Sequence, residues 1–269
     1  MKDPSPLVRA AAAASMLNYL VPENSALLFE ATRDDYRLVR LRAADTLAVL
    51  PADMVEEKDR QALDSAITEL ESSFLARPDD PMSYYNLANL YMDRGNLQKA
   101  VELFETAIRL RPDNILPLVN ASIAYARLGD PAKAEATLKR ALEIDPASAE
   151  ANFNRGLLKA EQNNYEEAEN HLRTALKTDP NFPEAAYNLC ILIAKKYPDE
   201  SVSWCRKAYT VRPREIKYAY TLAFYLQQTG QLDEAADILE KLIEQQPNFK
   251  DASMLLRAVY EQQKTLDQQ

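Results

Sequence analysis

Residues 81–112 read PMSYYNLANLYMDRGNLQKAVELFETAIRLRP, and residues 115–146 read ILPLVNASIAYARLGDPAKAEATLKRALEIDP. The two stretches match place by place. Tyr84, Leu87, Ala88, Tyr91, Gly95, Ala100, Phe104, Ala107 and Pro112 of the first answer to Leu118, Ala121, Ser122, Tyr125, Gly129, Ala134, Leu138, Ala141 and Pro146 of the second. Prolines carry the register along the chain: Pro78, Pro112, Pro146, Pro180, Pro213 and Pro247 lie 34, 34, 34, 33 and 34 residues apart. A fixed period of this length marks a repeat architecture, in which one helix pair recurs and buries its apolar face against its neighbours. Within each unit, places 4, 7, 8 and 11 share one face of a first helix, and places 20, 24 and 27 share one face of a second. Small side chains at 8, 20 and 27 allow a close helix approach, and larger ones at 4, 7, 11 and 24 fill the space around it. Gly95, Gly129 and Gly230, with Asn163 in the third unit, sit where the first helix must end in a positive φ.

Period, small-residue places and terminal proline together resemble the tetratricopeptide repeat over five units, residues 81–248. The resemblance implies an all-α fold, a right-handed alpha-alpha superhelix or solenoid, acting as a non-catalytic scaffold for protein–protein interaction. Residues 1–54 follow another pattern. Leu7-Val-Arg and Leu38-Val-Arg recur at a 31-residue offset, which resembles the second helix of HEAT repeats. Residues 55–80 read as a linking helix or half-repeat, with Ala66, Leu70 and Pro78 in phase with places 20, 24 and 32. Residues 249–269 read as a capping helix and tail, apolar on one side at Phe249, Ala252, Leu255, Leu256 and Val259 and polar on the other.

With 41 Asp and Glu against 32 Lys and Arg, the net charge of −9 repels polyanions, so no nucleic-acid partner is expected. Only 4 glycines stand in 269 residues, too few for sheet hairpins or phosphate-cradling loops. No run approaches 18 apolar residues, so no membrane insertion is expected. No phosphate loop, zinc-binding helix motif or nucleophile elbow occurs, and neither an enzyme activity nor a cofactor is expected. His171, the one histidine, is expected to face outward as a solvated residue. Glu166-Glu167 and Asp233-Glu234 fall in first turns of second helices, where carboxylates suit the helix dipole. Cys190 and Cys205 occupy places 8 and 24 of the fourth unit, on facing sides of its two helices. Their α-carbons can fall within the roughly 4.4–6.8 Å of a disulfide, or the two thiols can pack as small hydrophobes.

First helices of such a stack line its concave wall, with places 2, 5, 6, 9, 12 and 13 pointing into the groove. Place 6 holds Asn86, Asn120, Asn154 and Asn188, a row of amides that can pair with the backbone of an extended peptide. Tyr85, Phe153, Tyr187 and Tyr220 at place 5, with Asn89 and Phe224 at place 9, offer side-chain pockets beside it. The expected partner is an extended, partly apolar protein or peptide segment, and self-association of the solenoid is possible. The lysines and arginines with which some family members clamp a C-terminal carboxylate are missing at place 5. The third unit departs from the pattern, with Asn152, Arg155 and Lys159 at places 4, 7 and 11. These side chains either snorkel past a loosely packed joint or form a polar site or hinge.

HEAT-like helices running into tetratricopeptide units also resemble the C-terminal half of bacterial multihaem cytochrome-like proteins. No haem-attachment motif occurs in this sequence. That resemblance implies a haem-free portion of an exported, periplasmic redox protein; without it, a cytoplasmic location is expected.

Overall fold

The computed structural model describes residues 1–19 and 22–267, and among these there are helices and turns but no strand. Leu20, Val21, Gln268 and Gln269, within the expected N-terminal and C-terminal segments, lie outside the described residues. Four helices come first: α1 (Pro6–Ser15), α2 (Pro22–Ala31), α3 (Arg37–Leu47) and α4 (Glu57–Leu75). Five pairs follow, α5 (Pro81–Asp93) with α6 (Leu97–Leu110), α7 (Ile115–Arg127) with α8 (Pro131–Ile144), α9 (Ala149–Glu161) with α10 (Tyr165–Thr178), α11 (Pro183–Ile193) with α12 (Pro198–Val211), and α13 (Ile216–Gln228) with α14 (Leu232–Gln245). α15 (Lys250–Asp267) closes the chain. Two compact units divide it, Met1–Arg140 and Ala141–Gln269.

In the first unit, α5 packs on α6 and α6 on α7. Leu87, Ala88, Ala100, Phe104 and Ala107 are buried between them, as their spacing predicts. Local chemistry sets the helix limits. The Asp80 carboxylate accepts from Met82 N and the Ser83 hydroxyl, Asn96 caps Lys99 N, and Asn114 caps Leu116 N. Gly95 and Gly129 leave the first helices at φ 75° and 77°, a conformation that costs glycine nothing. The repeated Leu-Val-Arg has its own logic, because each arginine ties its helix to a carboxylate further along the chain. Arg9 donates to both oxygens of Asp34 at 2.7 and 2.9 Å, and Arg40 to both oxygens of Glu69 at 2.9 and 2.7 Å.

In the second unit α9 packs on α10, α11 on α12, α13 on α14, and α15 covers α14. Arginines at equivalent places link successive second helices: Arg173 reaches Glu200 at 2.6 and 3.1 Å, and Arg206 reaches Glu234 at 3.0 and 2.8 Å. The fourth repeat differs from the others. Its first helix, α11, is two residues shorter than the other first helices, and no residue of the 194–197 connection takes a positive φ. Cys190 and Cys205 are joined as a disulfide, with α-carbons 5.3 Å apart; the thiol-packing alternative is set aside. Closing a loop with a sequence separation of 15 contributes about 3 kcal/mol through the unfolded chain.

Gly156, the remaining glycine, stands at place 8 of the third repeat, where the first and last repeats carry Ala88 and Ala223. A β-carbon there would lie 2.9 Å from Leu172 Cγ and 3.3 Å from the Ala168 carbonyl oxygen. Gly156→Ala, a neutral change by repeat pattern alone, should therefore destabilise the protein by about 1–3 kcal/mol through overpacking. Urea denaturation of the variant beside the parent measures it, and an unchanged midpoint would show that α9 and α10 separate freely.

Candidate functional site

In the first unit the amide row forms a network. Asn120 on α7 donates to the Tyr85 hydroxyl at 3.1 Å and to Asn89 Oδ1 at 2.8 Å, both on α5. Three of the expected site residues are thereby held together, while Asn86 beside them is exposed. Tyr85 also leans on Phe104, ring centroids 6.0 Å apart. Val119, the place-5 residue of α7, is buried.

The second unit handles its amides differently. Asn154 donates to Glu150 O and Asn188 to Glu184 O, each at 2.8 Å within its own helix. Their Nδ2 groups are occupied locally. The aromatic row is more continuous. Phe153 packs at a tilt against Phe182, with ring centroids 4.8 Å apart, Tyr187 against Tyr218 at 5.0 Å, and Tyr220 against Phe249 at 5.4 Å. Phe224 meets Tyr225 edge-on at 5.3 Å and is exposed. Phe182 and Phe249 were not among the expected residues. Their signal is a repeated Pro-Asn-Phe at 180–182 and 247–249, which sets a ring just before α11 and α15. Lys217 Nζ lies 5.9 Å from the Tyr187 ring centroid and 5.3 Å from that of Tyr218, and Arg212 holds Glu184 at 2.5 Å.

The polar third repeat is a buried network, and here His171 corrects the expectation of a solvated residue. His171 is half-buried, with Nδ1 2.9 Å from Asn152 Oδ1. Asn152 Nδ2 donates to Pro146 O at 3.0 Å and Ser148 O at 2.9 Å, so its oxygen faces the ring and His171 Nδ1 carries the proton. Burial lowers the His171 pKa, and the Arg155 and Lys159 charges lower it further against the opposing pull of Glu167. Lys159 is itself buried, with Nζ 3.5 Å from Glu167. Arg155 takes a place where Leu87, Leu189 and Leu222 are core residues; its buried Nε has no hydrogen-bond partner among the described residues. Neither of the expected alternatives describes this fully, since two side chains are satisfied inside and the third carries a desolvated donor.

Models of the tetratricopeptide repeat match residues 79–147, 119–181, 153–214 and 218–248, more than half of the chain, and the chain belongs to that family. No curated protein sequence matches it. Among solved structures it is similar to PilF of Pseudomonas aeruginosa, at 21% identity over 71% of this chain and 88% of that one, with a TM-score of 0.61. The Cut9-Hcn1 hetero-tetramer of the APC/C matches 95% of this chain and 49% of that one, at 16% identity and a TM-score of 0.63. YrrB, described as a TPR protein with an unusual peptide-binding site, matches at 19% identity over 71% of this chain and 96% of that one, with a TM-score of 0.51. At these identities the likeness establishes the fold, a repeat scaffold. Among the described residues, no helix is long and apolar enough to cross a membrane, and no group of three or more His, Cys, Asp or Glu is placed to hold a metal ion.

Two outcomes follow from the third repeat. Arg155→Leu should raise stability by roughly 0.5–2 kcal/mol, because it removes an unsatisfied buried donor and supplies the side chain used at this place elsewhere; a loss in thermal or urea unfolding would contradict it. A His171 pKa lowered in the fold means that the unfolded chain takes up the proton first as pH falls. The stability held by neutral His171 should thus be complete above about pH 6.5 and decline as pH drops below it. A pH series of unfolding midpoints for the parent and His171→Gln tests this, the variant having the flatter profile below pH 6.5 if the histidine is responsible.

Proposed function

We propose that this protein is a non-catalytic interaction scaffold whose first helices bind an extended, partly apolar peptide segment of a partner protein. The observation that carries the proposal is the recurrence of a ring beside an amide on three of the five first helices, α5, α9 and α11: Tyr85 with Asn86, Phe153 with Asn154, and Tyr187 with Asn188. Tyr220 and Phe224 continue the rings on α13, and Asn89 and Asn120 join the amides on α5 and α7. Rings at this spacing take apolar side chains of the ligand, and amide oxygens left open by the local bonds of Asn154 and Asn188 accept from its backbone N–H groups. The charges nearby are largely spent within the protein, Glu184 on Arg212 and Lys217 over two tyrosine rings, so binding should depend only mildly on salt. Residues 1–54 and 55–80 serve in this proposal as a helical extension, HEAT-like in pattern, and 249–269 as the cap.

The test is a peptide selected on the immobilised protein and titrated by fluorescence anisotropy. Asn154→Ala with Asn188→Ala, whose amides bond only within their own helices, should weaken its binding by about 1–3 kcal/mol while the unfolding midpoint stays close to the parent's. Equal affinity for parent and variant, or an affinity that collapses with modest salt, would show that amides and rings are family background.

A further inference from the structure

We infer that the fourth repeat folds fully only after its two cysteines have been oxidised, so the Cys190–Cys205 bond does there what a large side chain does in every other repeat. Places 8 and 24 oppose each other across the helix pair. Gly156 shows this directly, since a β-carbon on it would run into Leu172. The other repeats fill the two places with one small and one large residue: Ala88 with Phe104, Ser122 with Leu138, Gly156 with Leu172, Ala223 with Leu239. Each of the four large side chains is almost wholly buried. The fourth repeat has two small residues instead, Cys190 and Cys205, both buried.

It also lacks a second device. Gly95, Gly129, Asn163 and Gly230 turn the chain at positive φ between the helices of the other pairs, whereas the 194–197 connection, which follows a first helix two residues shorter than theirs, contains no such residue. Ser201, fully buried at place 20, donates its hydroxyl to Cys190 O at 2.8 Å, a further polar group in the seam. What fastens α11 to α12 at this height is the covalent bond. Its formation is a dithiol oxidation: each thiol loses a proton, one S–S bond forms, and two electrons pass to a disulfide-bearing oxidant whose own S–S bond opens to two thiols. Once formed, the bond is enclosed and out of reach of reductants while the repeat stays closed.

The consequence for binding rests on the groove proposal, because Tyr187 and Asn188 stand on α11. The folding requirement itself does not.

Hydrogen exchange on the full chain separates the two. The protein is compared in its oxidised form and after reduction in denaturant, refolding and storage under reductant. Amides of 183–211 should exchange about 100-fold faster in the reduced protein, while those of 81–127 keep their protection. Trp204, the only tryptophan, adjoins Cys205 and gives an independent fluorescence signal of the same change. Cys190→Ala with Cys205→Leu restores the small–large pair and should be protected at 183–211 in the presence of reductant. Cys190→Ser with Cys205→Ser should exchange like the reduced parent. Rates at 183–211 within about threefold in the oxidised and reduced parent would overturn the inference, whatever the variants do. A selected peptide that binds neither redox form would count against the groove alone and leave the exchange result standing.

Discussion

The closeness with which the two helices of a pair can approach governs the rest of the structure. Ala100, Ala168 and Ala235 at place 20, and Ala107, Ala175 and Ala208 at place 27, are fully buried, and side chains this small let the axes come together. A single pair closed in this way still leaves apolar surface on its outer faces. Stacking against the next pair is then compulsory, and the 34-residue period is the covalent expression of that need. Helix caps at Asp80, Asn96 and Asn114, and the positive-φ residues of four pairs, fix the ends so that this close approach happens in one register.

A fold built on repetition is unusually legible. The five pairs, the helix over 57–75 and the last helix all lie where spacing places them, because each buried position is stated several times over. What spacing misses is whatever happens once. His171 was expected to face water, yet place 23 is buried as Leu103 in the first repeat and Ile238 in the last, and the buried Asn152 nineteen residues earlier offers the histidine an oxygen there. The cysteines face each other in any reading of the period, but bond formation is a matter of redox chemistry that spacing does not encode. In the candidate site, the row of amides is plain in the sequence while its side-chain geometry is not. Asn120 reaches across to α5, whereas Asn154 and Asn188 turn back on their own helices, and rotamer competition with i−4 carbonyls decides between these outcomes. Phe182 and Phe249 share a tripeptide, Pro-Asn-Phe, yet they stand just before α11 and α15, outside the helical places that the period defines.

The irregularities are gathered in α9 to α12. The third repeat replaces apolar wedge residues with a hydrogen-bonded network around His171, and the fourth replaces one with a covalent link. The fifth returns to the ordinary pattern, with Leu222, Ala223, Ala235 and Leu239 all buried. In a stack whose elements touch only near neighbours, such departures are felt locally. Proton uptake and thiol chemistry therefore act on these two pairs.

The arginine links between second helices bear on how such a chain changes length over generations. Arg173 with Glu200, and Arg206 with Glu234, are the same pair one repeat apart. A tract running from Arg173 to Cys205 contains one arginine of this kind and, in Glu200, one such glutamate. Its loss would bring Arg206 to the place of Arg173, with Glu234 already waiting, and its duplication would add a matched donor and acceptor together. Gain or loss of a whole helix pair at this spacing therefore keeps each of these arginines opposite a glutamate, which gain or loss of a fraction of a pair does not.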